Sequence, residues 1–124
     1  MGVLALAAGV APAEAHHSTS MYDRSQAITI DAEVKEFRWL NPHAYLTVVE
    51  REPQPGTRPR TWVVEMSSPG VLTRSGWTKR TFSPGDMITL QLGPLRSGEF
   101  GGIFMKAVLV DGRVVTYSLE PGEP

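Results

Sequence analysis

The chain of 124 residues carries three histidines: His16 and His17 side by side, and His43 directly after an Asn41-Pro42 pair. A histidine that begins a chain can offer its α-amino nitrogen and a ring nitrogen to one metal ion, and a second imidazole completes a set of three nitrogens. Such sets suit Cu(II) in geometry, the Irving–Williams order puts copper ahead of the other first-row divalent ions, and zinc accepts the same imidazoles. There is no cysteine. Thiolate zinc sites, iron–sulfur clusters, disulfides and cysteine nucleophiles are therefore excluded, and any metal must be held by nitrogen and oxygen, with methionine as an addition. The expectation is a copper or zinc site made by His16, His17 and His43. A plainer expectation stands beside it. Paired histidines in a polar arm are solvated, and a histidine after a turn braces its loop by giving a ring N–H to a backbone carbonyl.

His16 offers an α-amino group only if what precedes it is removed. Residues 1–15 read MGVLALAAGVAPAEA, apolar until Glu14 and closing on the small-x-small pattern Ala13-Glu14-Ala15. This is the pattern of a cleaved secretory signal, although it lacks a basic n-region. It is shorter than the roughly 20 residues that cross a bilayer, so no stable membrane insertion is expected after cleavage, and the periplasm or the exterior is the expected compartment. The 12 Lys and Arg against 13 Asp and Glu become an even balance once Glu14 is gone. A neutral domain lacks the electrostatic footprint of nucleic-acid binding.

Other chemistry is sparse. No serine lies in a Gly-x-Ser-x-Gly elbow, and no glycine-rich loop is spaced to cradle phosphate. Glu65 is the one carboxylate set among apolar neighbours, in Trp62-Val63-Val64-Glu65-Met66. It is a candidate partly buried acid or base. Trp39, Tyr45, Trp62, Trp77, Phe82, Phe100 and Phe104 are enough aromatics for a stacking platform, though in a domain this small such residues mostly build the core.

The elements that must position these groups are short. With 12 Gly and 10 Pro the chain is rich in turns. Residues 16–27, beginning HHSTSMYDRSQ, have no periodicity that buries a face, and read as an arm. Ile28, Ile30, Ala32 and Val34 alternate with polar residues as a half-buried strand. Phe37 and Trp39 fall in the opposite phase, which requires a bulge near Lys35-Glu36. Ala44, Leu46 and Val48 open a second strand, the Pro-rich residues 51–60 form a solvated hairpin loop, and Trp62, Val64 and Met66 mark a third strand. Ser68 before Pro69 caps a short helix ending near Gly76. Ile88, Leu90 and Leu92 make the fourth strand, residues 93–102 with their four glycines read as an exposed loop, and residues 103–110 make the fifth. Asp111-Gly112 is a hairpin turn into a sixth strand over 114–119. Five to six strands, the first one bent, with one short helix between strands three and four, predict an all-β fold: a small OB-like Greek-key barrel over 28–120, followed by a tail, 121–124.

The strings Ala15-His16-His17-Ser18, Tyr22-Asp23, Trp39-Leu40-Asn41-Pro42-His43-Ala44-Tyr45, Leu72-Thr73-Arg74-Ser75-Gly76-Trp77-Thr78, Pro84-Gly85-Asp86 and Asp111-Gly112-Arg113 resemble a family of small exported bacterial proteins of unknown function. The resemblance implies export, cleavage near Ala15 and an OB-type barrel. It places His16, His17, Asn41, His43, Arg74 and Trp77 among that family's recurring positions. Asn41, Arg74 and Trp77 from the resemblance, with Glu65 from its apolar neighbours and Tyr45 from the aromatic set, are the expected ligand-binding residues beside the three histidines.

Three functions follow as expectations. The first is an exported domain that binds a small molecule or metal ion without catalysis. The second is a small enzyme with an aromatic-lined barrel pocket, using His43 or Glu65 as acid or base. The third is a structural or partner-binding module of the envelope.

Overall fold

The structure is a computed structural model and describes residues 21–51 and 54–117. The predicted signal segment, His16, His17 and the tail lie outside the described residues. Six strands and one helix succeed one another: β1 (Ile28–Arg38), β2 (Tyr45–Glu50), β3 (Thr61–Glu65), α1 (Pro69–Arg74), β4 (Met87–Pro94), β5 (Gly101–Leu109) and β6 (Val114–Val115). β1 pairs antiparallel with both β2 and β4, β2 with β3, and β4 with β5. A parallel pairing of β3 with β5 joins the ends of this row. The result is a closed five-stranded barrel of OB type, with α1 between strands three and four and β6 as an added strand on β5.

The local reasons are those the residues suggest. The register of β1 against β2 shifts between Val34 and Glu36, so the strand changes face where its apolar phase changes and Phe37 turns toward the core. Ser68 accepts a hydrogen bond from the Val71 amide and Pro69 occupies the first turn of α1, where its missing N–H costs nothing. Ala32, Val34, Leu46, Val48, Val64 and Leu90 are fully buried. One end of the barrel is closed by aromatic rings: Trp77 meets Phe82, Phe104 and Tyr117 edge-on at 5.3–5.7 Å between centroids. At the other end, Glu50 holds Arg60 and the Trp62 indole N–H together, with the guanidinium over Trp62 and Phe100.

Two expectations need correction. Residues 93–102 are not an exposed loop: Gly93 closes the buried part of β4, Gly101 and Gly102 open β5, and all three are buried. The exposed connection is only 95–100. These glycines are there because β5 must approach β3 on one edge and β4 on the other. A Cβ on Gly101 would stand 2.8 Å from Leu95 Cδ1 and 3.0 Å from the Val63 carbonyl, and one on Gly102 would collide with Gly93 O and Leu92 Cδ1. Among the described residues the sixth strand is also shorter than expected, pairing through Val114 and Val115, to Val108 and Ala107, and ending before Thr116.

Closure through bare backbone is testable. Gly102→Ala should lower unfolding free energy by about 3 kcal/mol through overpacking. Gly70→Ala, whose Cβ would meet only Ser68 Oγ at 3.8 Å, should be neutral or stabilising by up to about 1 kcal/mol because alanine favours the helix. Urea denaturation of both variants measures this, and equal midpoints would refute the packing constraint.

Candidate functional site

β3 alternates as a barrel strand should: Trp62 and Val64 point inward, and Val63 points out with 48% exposure. Glu65 shares the outward phase of Val63, yet it is only 6% exposed and is the one buried charged residue among those described. Something covers it on the outside of the barrel. The cover is the arm. Tyr22, itself buried, donates its hydroxyl to Glu65 Oε2.

The arm reaches this place by pairing with the edge of β4 and the 95–100 connection. Asp23 N donates to Pro94 O at 2.8 Å, Arg96 N donates to Met21 O at 2.9 Å, and Tyr22 bridges Leu95. Asp23 also accepts from the Ser25 amide at the start of a 3-10 turn, Arg24–Gln26, and meets the Arg96 guanidinium at 3.3 Å. The Ser25 contacts, then Arg96, hold the Asp23 carboxyl below its ordinary value. Gly93 makes room for this crossing: a Cβ there would lie 3.0 Å from Ile103 Cγ2 and 3.2 Å from Arg24 Cα. Residues 21–27 are an arm, as their lack of periodicity suggests, and they lie over the barrel with only Tyr22 buried. A single aromatic residue docks it, and one buried ring leaves no periodicity to read.

His43 stands on the other side of the same carboxylate. The β2–β3 ladder continues past its strands, with Met66 N donating to Ala44 O at 2.9 Å and Ala44 N to Ser67 O at 3.1 Å. This carries His43 beside Met66, where its Nδ1 lies 2.9 Å from the Met66 carbonyl and 3.5 Å from Glu65 Oε1. A carbonyl only accepts, so Nδ1 carries the proton and, in the neutral ring, Nε2 keeps the lone pair. The side chain is 39% exposed. The loop-bracing contact expected of this histidine is therefore present, and it leaves Nε2 as the ring nitrogen not used by the loop.

Tyr45 completes the group. It sits directly across the ladder from Glu65, half-buried. Burial raises its hydroxyl pKa, the charge of Glu65 raises it further, and Arg38 pulls the other way. Tyr22 is pushed well above the ordinary 10.0, first by burial, then by its hydrogen bond to Glu65 and by the carboxylate charge. No buried side-chain nitrogen or oxygen among the described residues lacks a partner, as a carboxylate withdrawn from water requires.

Of the residues expected from the sequence, His43, Tyr45 and Glu65 thus converge on the outer face of the barrel. Asn41 lies in the exposed β1–β2 connection next to them, at a cis peptide bond to Pro42. Arg74 ends α1 at the surface. Trp77 packs in the core, and its indole N–H goes to Thr116 O at 2.9 Å, so it serves the barrel end instead of presenting a free ring face. The barrel interior is filled by Leu46, Val48, Val64, Leu90, Leu92 and Phe104, while Glu65 and His43 stand outside it. Tyr22 was not among the expected site residues. Its signals were a lone aromatic in a polar run and the Tyr22-Asp23 string of the family resemblance, neither of which pointed to Glu65. Among the described residues no three His, Asp or Glu side chains form a cluster able to hold a metal, and no helix is long and apolar enough to cross a membrane.

The two raised tyrosines carry a consequence for alkaline stability. The folded chain holds these protons more tightly than the unfolded chain, so their contribution is complete below pH 10 and drains away as pH rises above it. Urea midpoints compared at about pH 8 and about pH 11 should fall more steeply for the wild type than for Tyr22→Phe. Parallel losses in the two proteins would contradict this assignment.

Comparison with known proteins adds one match. No curated protein and no solved structure matches the chain. The sequence profile of one family matches residues 4–107, which include every strand of the closed barrel apart from the end of β5, as well as the Tyr22, His43, Tyr45 and Glu65 group. The chain therefore belongs to this family of unknown function, DUF6152.

Proposed function

We propose that this protein is an exported, non-catalytic binding domain that takes up a divalent metal ion of the copper type, with His43 Nε2 as the barrel's ligand and His16 and His17 as the arm's. The observation that carries the reading is the hydrogen bond from His43 Nδ1 to the Met66 carbonyl. Histidines that ligate metals give their second ring N–H to a carbonyl or carboxylate, which fixes the tautomer and aims the lone pair. His43 has both acceptors within reach.

The covalent distance supports the rest of the ligand set. Tyr22 is anchored on Glu65, whose other oxygen faces His43. His17 is five residues before Tyr22, a tether of at most about 17 Å when extended. Three nitrogens from imidazoles and a terminal amine suit Cu(II), and zinc is the competing ion. Export rests on the apolar pattern of residues 1–15 with its small-x-small ending. It would also free the amine of His16.

Calorimetric titration of untagged protein beginning at His16, with Cu(II) and Zn(II) in turn, tests the reading. Tight stoichiometric Cu(II) binding is expected, weakened at least about tenfold by His43→Ala and by His16→Ala. Cu(II) binding that is indifferent to His43→Ala would sink it.

A further inference from the structure

Glu65 is used twice, and its two uses belong to different parts of the chain. Oε2 receives the Tyr22 hydroxyl from the arm, and Oε1 lies 3.5 Å from His43 Nδ1 on the barrel. The two contacts use different oxygens of one carboxylate and favour the same rotamer: with Oε2 fixed by the Tyr22 hydroxyl, Oε1 stays beside the Nδ1–H edge that His43 turns to the Met66 carbonyl. Glu65 cannot be a ligand to an ion on Nε2, since it faces the opposite edge of the ring. The arm is held at a second, independent point. Gly93 admits the Arg24 backbone so closely that a methyl group would force the arm outward by a few tenths of an ångström.

We infer that Glu65 and Tyr22 are positioning residues that make docking of the arm and orientation of the His43 ring a single event, so that capture of an ion by His43 locks residues 21–27 onto the barrel. The inference rests on the metal-binding reading for its ion. The link between arm and ring exists without any metal. By linkage, whatever the docked arm does for the ring, a bound ion does for the arm in equal measure. Tyr22→Phe removes one hydroxyl and keeps the buried ring, and Glu65→Gln keeps the shape and removes the charge. Gly93→Ala disturbs the arm's seat at Arg24, with its Cβ also against the Ile103 side chain, and changes no polar atom of Glu65, Tyr22 or His43.

Hydrogen exchange at the amides of Asp23 and Arg96, which donate to Pro94 O and Met21 O, reports docking directly. In metal-free protein, Tyr22→Phe, Glu65→Gln and His43→Ala should each speed exchange at these two amides several-fold, with the β-sheet circular dichroism unchanged. In the wild type, Cu(II) should slow them. Cu(II) affinity should fall about tenfold in Tyr22→Phe and Gly93→Ala, the loss typical of residues that orient a ligand without touching the ion. If His43→Ala leaves exchange at both amides as in the wild type, the coupling is overturned, whatever the metal does. If the wild type binds Cu(II) through His43 but Tyr22→Phe and Gly93→Ala bind equally well, the coupling fails and the histidine site stands. If the metal-free changes appear while Cu(II) binding ignores His43→Ala, the link between arm and ring holds, and the copper reading and the ion-driven lock both fall.

Discussion

The barrel closes because one strand pairs along both of its edges at once. β5 lies antiparallel to β4 and, through its first three residues, parallel to β3. Neighbouring strands can approach to hydrogen-bonding distance on both sides only if nothing projects between them, and here the crowded positions are Gly101 and Gly102. Everything else in the molecule follows from that seam. It sets Glu65 opposite Ile103, it ends the 95–100 connection where the arm can hydrogen-bond to it, and it leaves the inner face wide enough for Leu92, Phe104 and Trp62 to fill.

The same seam creates an electrostatic problem on the outside. A carboxylate at the end of β3 is carried under the crossing arm and out of water. Such a group is tolerated only when its oxygens are occupied, and the surroundings supply Tyr22 from the arm, Tyr45 from β2 and His43 from the β1–β2 connection. The group of one carboxylate, two phenols and one imidazole thus sits where β2, β3 and the loop before β2 meet on the outer face of the barrel.

Much of the fold was legible. The phase reversal at Lys35-Glu36 announced a bulge, Ser68-Pro69 a helix start, and the spacing of apolar residues five strands of a barrel, because each of these is a local consequence of backbone geometry. Residues 93–102 misled for an equally physical reason. Glycine marks both exposed turns and places where backbones meet, and the two cannot be separated without knowing the neighbours. In the site, His43 stood out by its turn and Glu65 by its apolar surroundings. Tyr22 appeared only in a family string, and its contact with Glu65 was not legible, since a docked arm held by one ring has no repeating pattern. Trp77 looked like a binding aromatic by its motif and is part of the wall.

By itself the sequence determined the succession of strands, the place of the helix, the absence of any thiolate chemistry and the few imidazole and carboxylate groups that stand out by their neighbours. These depend on residue type, on periods of two and on turn chemistry, all of which act over a few neighbours. Only the tertiary structure decided that Glu65 faces outward beneath Tyr22, that its second oxygen meets His43, and that the imidazole proton sits on Nδ1. Those facts join residues 22 and 43 positions apart across a barrel seam, and no local rule spans a distance that is set by how strands close.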